Sequence, residues 1–491
     1  MCVEQDVPTS YDNWTEPVMN QANTHPLSRN LLAILTLFGT VMLIGGTEMT
    51  KVVVALPTLA ESLSLSSAGS LWVADSYPLA AGSVLVLCAA SADVFGRRRI
   101  YLLGLLIATI SATMAGFAPK GELLIAARVG QGIGAALLIA GTVAIIRVTF
   151  PSVRLRGLAY GVWVIGFSTG SALGPLIGGV LVELAHWRWV FWINGPVLLI
   201  CLAAAIKILR ESRNPDPPRM DGLSAALAGI TVGLLISGLK ATANPQLPSW
   251  LGPAALTVGT AAAVLFVLRQ RRLPRPFLDL SLLSNTLLSS SAAVIAVSVG
   301  AFNGVLYLLT QRYQVIDGLS AVQAGTTLLP LAVSSAVGGL AGPVLHRWFA
   351  QQHILISGLA LASSGFILLT TAGGGGHSAG MVAMGLGAGV IMAVGSNAIM
   401  STAPEYRTAD AGAIQESAFA LGAGAGIAGL GTIALNHSAA SAVGSSANAV
   451  HGPGTEAALG FGAFLYAFFA LAAGLVILST RTKDALKERV R

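Results

Sequence analysis

The chain has 491 residues, of which 54% are hydrophobic and only 10% charged, and its mean hydropathy is +0.75. No water-soluble domain buries that much apolar surface, so the composition excludes one and requires a bilayer as solvent. The net charge of +7 does not point to nucleic acid either, because the basic residues stand at the ends of apolar stretches, where they set membrane topology.

Residues 1–28 are polar, carry Glu4, Asp6, Asp12 and Glu16, and lack an apolar core, so they read as a disordered cytoplasmic tail and not as a signal peptide. A helix crosses the hydrocarbon core with about 20 mostly apolar residues. Fourteen such stretches follow, near 31–57, 71–92, 99–118, 122–148, 155–183, 188–209, 221–240, 250–269, 285–310, 321–346, 352–372, 379–402, 409–435 and 457–480. With the N-terminus inside, 22 of the 28 Lys and Arg residues fall on the cytoplasmic side, so both termini are expected in the cytoplasm of a multi-pass protein of the cytoplasmic membrane. The basic stretch from Lys207 to Arg219, with Pro215, Pro217 and Pro218, ends a first six-helix half at 29–210. A linker and an inserted helix pair then occupy 211–275, a second six-helix half 276–480, and a basic cytoplasmic tail 481–491. The expected fold is all-α, an integral membrane bundle of two halves, and such bundles bind substrate between the halves near the midplane.

Three patterns carry chemistry. After the second segment, Asp93-Val94-Phe95-Gly96-Arg97-Arg98-Arg99 places a glycine turn beside a carboxylate and guanidiniums, which suits a latch across a helix end. The fourth segment holds Arg128 and Gln131 among glycines, and an arginine within the membrane must face the interior and find an acid or carbonyls. The fifth carries Gly161, Gly170, Gly174, Pro175, Gly178 and Gly179, a surface for close helix contact. Glu48, Asp75 and Glu416 are the acids placed well inside segments. Burial disfavours the charged form of a carboxyl group, so such acids suit the exchange of a proton for a cation. Glu48 and Lys51, three residues apart, are helical neighbours, and form either a neutralised structural pair or part of the exchanging site. Trp72, Tyr77, Trp163, Phe167, Phe302 and Tyr307 offer faces for cation stacking. Cys2, Cys88, Cys201 and the seven histidines show no metal-ligand spacing, and neither a catalytic constellation nor a Walker loop is present. An enzyme, a metal, a cofactor and ATP are therefore not expected.

Together the three patterns resemble the major facilitator superfamily. The turn is similar to that family's motif at Asp93, Gly96, Arg97 and Arg98 and departs from it at Ala89, Ser91 and Val94, while the fifth-segment glycine pattern is complete and implies proton-driven export. Ala55-Leu56-Pro57 and the run from Trp187 to Pro196 resemble the fourteen-helix drug:proton antiporter branch, and the run from Leu71 to Tyr77 its quaternary-ammonium and multidrug efflux group. The resemblance implies proton and cation sites at Glu48, Asp75 and Glu416, with Arg128 and Gln131 tuning them. Lys51 departs from the pattern, which has an apolar residue there, and no helix-ten carboxylate lies between Ala321 and His346. The expected function is a monomeric proton antiporter exporting lipophilic, cationic drugs, its partners being small molecules, protons and lipids. Export of one neutral or anionic antibiotic or metabolite, and a non-transporting sensor on the same fold, are the alternatives.

Overall fold

The computed structural model describes residues 29–150, 152–213, 221–243, 247–273, 280–371, 375–403, 408–441 and 460, and the described part is helical throughout, without strands. The expected tails and, apart from residue 460, the segment 457–480 lie outside the described residues, as does the side chain of Asp93. In chain order the helices are α1 (Arg29–Ser62), α2 (Ser67–Phe95), α3 (Arg97–Phe117), α4 (Gly121–Thr149), α5 (Val153–Leu184), α6 (Trp189–Trp192), α7 (Asn194–Ile208), α8 (Gly222–Ala243), α9 (Leu251–Arg272), α10 (Thr286–Gln311), α11 (Ala321–Thr327), α12 (Leu329–Leu345), α13 (Gln351–Thr371), α14 (Gly375–Thr402) and α15 (Thr408–Ser441). Each apolar segment from 31–57 to 409–435 has a helix in its place, and ten spans among the described residues are long and apolar enough to cross a membrane.

Local chemistry sets the helix ends. The Ser66 hydroxyl accepts the Gly69 amide, the Ser152 hydroxyl accepts that of Leu155, and Asn285 accepts those of Leu287 and Leu288, so α2, α5 and α10 begin with satisfied donors. Ser320 and Gln323 form a reciprocal capping box at α11. Between α2 and α3 the chain turns on Gly96 at φ +111°, a conformation that side chains disfavour. Two segments that hydropathy reads as continuous are broken. Pro196 has no amide to offer Trp192, so the sixth segment divides at Ile193 into α6 and α7, and Pro330 likewise divides the tenth at Leu328 into α11 and α12.

Packing follows two groups. In the first, α1 lies along α5, α2 along α4, and α3 against α4 and α7; in the second, α10 packs on α14 and α15, and α12 and α13 on α14. The groups meet where α5 touches α11 and α12 and where α2 touches α15, and α8 leans on both α2 and α15. At the end of the bundle where α1 finishes, here the far end, both groups share one core that includes Val54, Leu56, Leu59, Phe302, Leu306, Leu309, Leu328 and Leu331. Towards the opposite, near end they keep separate cores. Ile34, Phe38, Tyr101 and Leu105 form one in the first group, and Leu288, Ile295, Ile399 and Ala411 one in the second.

Candidate functional site

The α1 helix carries Glu48 and Lys51 one turn apart, and both point inward, as a charged side chain within a membrane must unless it reaches an interface. The Glu48 carboxylate is saturated by four donors from three helices. Its Oε1 accepts from Arg128 Nη1 at 2.6 Å and Gln131 Nε2 at 3.1 Å, both on α4. Its Oε2 takes Lys51 Nζ at 3.0 Å and the Asn194 amide at the start of α7. Lys51 Nζ also donates to Asn194 Oδ1 at 2.7 Å, closing a ring of Glu48, Lys51 and Asn194. Arg128 is satisfied in turn: Nε donates to the Val73 carbonyl of α2 at 3.1 Å, Nη1 to Gln131 Oε1 at 3.1 Å, and the guanidinium lies 4.8 Å from the centre of the Tyr77 ring. Each of these polar side chains is at most 5% exposed. Burying such charges is costly unless geometry and hydrogen bonds repay it, and removing one partner of a buried pair typically costs about 3–5 kcal/mol.

Asp75, on α2 two residues after Val73, is fully buried and lies in electrostatic reach of both Arg128 and Tyr307 of α10. It therefore sits where the two groups of helices face each other. Glu416 is half-buried on α15, within reach of Tyr77, whose ring also feels Glu48 and Arg128. Counting Lys51 and Arg128 against Glu48 and Asp75 gives a balanced set in the first group, with Glu416 facing it from the second. Of the sequence-expected residues, the structure thus brings together Glu48, Lys51, Arg128 and Gln131 in direct contact, with Asp75 beside them and Glu416 across Tyr77.

The basic turn has partners at and beyond the end of α7, while the side chain of its expected partner Asp93 lies outside the described residues. Arg98 donates to the Ile206 carbonyl at 2.7 Å and its amide to Glu211 Oε1 at 3.2 Å, Arg99 lies 3.7 Å from Glu211 Oε2, and the Arg97 amide bonds the Ser212 carbonyl. The turn is docked on the end of α7, within its own group of helices.

The glycine motif of α5 serves two neighbours. A β-carbon at Gly178 would lie 2.6 Å from the Lys51 carbonyl oxygen, and one at Gly174 or Gly170 would collide with Thr50 or the Leu43 carbonyl, so these three let α5 lie directly on α1. Gly179 faces the other group: its β-carbon would come 2.5 Å from the Ala321 carbonyl oxygen, while one at Gly325 would come 2.5 Å from that of Pro175. Gly161 faces open space. Beside this contact, Glu183 Oε2 accepts the Ser320 hydroxyl at 2.7 Å and the Val322 amide at 3.3 Å, and Gln314 donates to the Val54 carbonyl at 2.8 Å. Asn194, Glu183, Gln314 and Glu211 were not singled out as site residues from the sequence. Only Asn194 had a signal, its place two residues before a helix-breaking proline.

A helical membrane bundle in two groups, with buried charges where they meet, is the construction of a secondary transporter. Residues 36–427 match the model of the Major Facilitator Superfamily, and the chain belongs to that family. It is 34% identical over 419 residues to the multidrug efflux pump LfrA of Mycolicibacterium smegmatis, covering 84% of this chain and 82% of the relative. To the methyl viologen resistance protein SmvA of Salmonella typhimurium it is 32% identical over 391 residues, 79% of each. Among solved structures, a bacterial homologue of the human lysosomal transporter Spinster, inward-facing and unoccupied, shares the fold with a TM-score of 0.65 at 19% identity, over 94% of this chain and 98% of that one.

Proposed function

We propose that the protein is a multidrug exporter that moves lipophilic, mainly cationic compounds out of the cell in exchange for protons. The observation that carries this reading is Asp75, a fully buried acid between Arg128 of one helix group and Tyr307 of the other. An acid there holds a proton or neutralises a cargo cation, and mutual exclusion at one carboxylate is sufficient for exchange. Glu416, across Tyr77, is the second exchanging acid. The relatives are efflux and resistance proteins by name, which supports the direction of transport.

The far end is joined through Gly179, Glu183 and Gln314, while towards the near end the groups keep separate cores. The Lys and Arg bias assigns the near end to the cytoplasm of the cell membrane, so this is the inward-facing, cargo-loading state, with both termini inside. Outward opening then requires the far-end contacts to part. Each proton returning down the membrane potential supplies about 2.3 kcal/mol per 100 mV. The balance of Lys51 and Arg128 against two acids also favours neutral cargo, and export of one neutral antibiotic or metabolite is the second reading.

The test is drug accumulation in liposomes with an acidic interior. The parent concentrates an ethidium-like cation and Asp75→Asn does not. Equal gradient-driven accumulation by both would refute the coupling assignment.

A further inference from the structure

The Glu48 carboxylate is the most heavily engaged acid described in the membrane-embedded part of the chain. Its four donors come from α1, α4 and α7, all in one helix group, so motion between the groups does not by itself disturb any of them. Lys51 is the decisive member. Its ammonium lies 3.0 Å from Glu48 Oε2 and 2.7 Å from Asn194 Oδ1 at 1% exposure, which is where a cation bound to Glu48 would have to sit. Asn194 holds it there, because the α6–α7 break aims its side chain between the ammonium and the carboxylate: Oδ1 accepts from one while Nδ2 donates to the other. The groups facing this ring from the packed helices are Arg128 and Gln131 of α4, Asp75 and Tyr77 of α2, and Glu416 of α15 through Tyr77.

We propose that Lys51 is a tethered counter-cation that permanently occupies the cargo place at Glu48, positioned by Asn194, so that proton-for-cation exchange falls to Asp75 and Glu416 alone. Rested on the export reading above, this makes Glu48 a fixed charge and Lys51 a specificity-determining residue. Lys51 takes no proton from the cycle and binds no cargo; it denies Glu48 to both. Charge balances at each step, because a cargo cation arriving at Asp75 or Glu416 displaces the proton that acid held.

The experiment binds tetraphenylphosphonium to the purified full chain and counts the protons released per cation bound. The parent and the charge-neutral double variant Lys51→Met with Glu48→Gln release the same number per cation, although the affinity of the double variant shifts. Lys51→Met alone uncovers Glu48 and tightens binding on the order of tenfold, the effect of removing one unit charge at close range. Loss of proton release in a double variant that still binds would make Glu48 an exchanging group and overturn the proposal. Should that variant not fold, infrared difference spectra on cation binding decide the matter. The protonated-carboxyl band lost on binding in the parent is absent in Asp75→Asn with Glu416→Gln, and a residual band there would overturn the proposal too. A parent that neither binds the cation nor releases protons would instead refute the export reading itself.

Discussion

Replacing Gly179 by alanine tests whether the far-end contact governs which way the transporter faces. The added methyl would lie 2.5 Å from the Ala321 carbonyl oxygen and 2.9 Å from both Ala321 C and Val322 Cα, all backbone atoms of the other helix group. Backbone has no rotamer with which to yield, so the groups must separate by roughly 1 Å there to restore ordinary contact. Overpacking of this kind costs typically about 1–3 kcal/mol. The clash exists only while the far end is closed, so the whole cost falls on that state and shifts the inward-to-outward ratio by about 5- to 150-fold. Spin labels at Leu184 and Asp317, exposed on either side of the far end, report the change as a longer-distance population in Gly179→Ala. Gly161→Ala, in open space on the same helix, serves as the control and leaves the distances as in the parent. An unchanged distribution in Gly179→Ala, or an equal change in Gly161→Ala, would refute the reasoning.

Three further outcomes are expected. Glu183→Gln weakens its bonds to Ser320 and the Val322 amide by about 1 kcal/mol, so the same spin labels show a smaller shift in the same direction as Gly179→Ala. Arg128→Met removes the strongest donor to Glu48 and lowers thermal stability by about 3–5 kcal/mol, and Arg128→Lys recovers only part because it lacks the second donor to the Val73 carbonyl; thermal melts in detergent check both. At the start of α8, Asp221 accepts two bonds from Arg269, each 3.0 Å, and these hold its carboxyl down at about 2. A depressed value means that the stabilisation is complete above the ordinary carboxylate range and is lost as pH falls towards 2. Asp221→Asn therefore lowers stability at pH 7 by about 1 kcal/mol or less, the pair being partly exposed, and the gap from the parent narrows at pH 3.

The helices were legible from apolar runs alone, because lipid leaves the backbone of a spanning segment little choice. The meeting of Glu48, Lys51, Arg128 and Gln131 was legible for a related reason: intramembrane charges must find one another, and the spacing of Glu48 and Lys51 already made them neighbours. Asn194 was not, since a neutral amide within an apolar segment raises no alarm by its charge and its one signal, Pro196 two residues on, marks the break at Ile193 that hydropathy reads straight through. Glu211 and Glu183 lie at segment ends, where acids are ordinary. Only the folded chain shows that one docks the basic turn and the other joins the two groups.

The α8 helix leans on both groups, with Gly229 against Ser83 of α2 and Ile236 against Gly424 of α15. A helix seated on both groups must slide over at least one of them each time they shift, and a glycine at each seat offers a smooth bearing. Any movement of one group against the other therefore has to slide past α8 or carry it along.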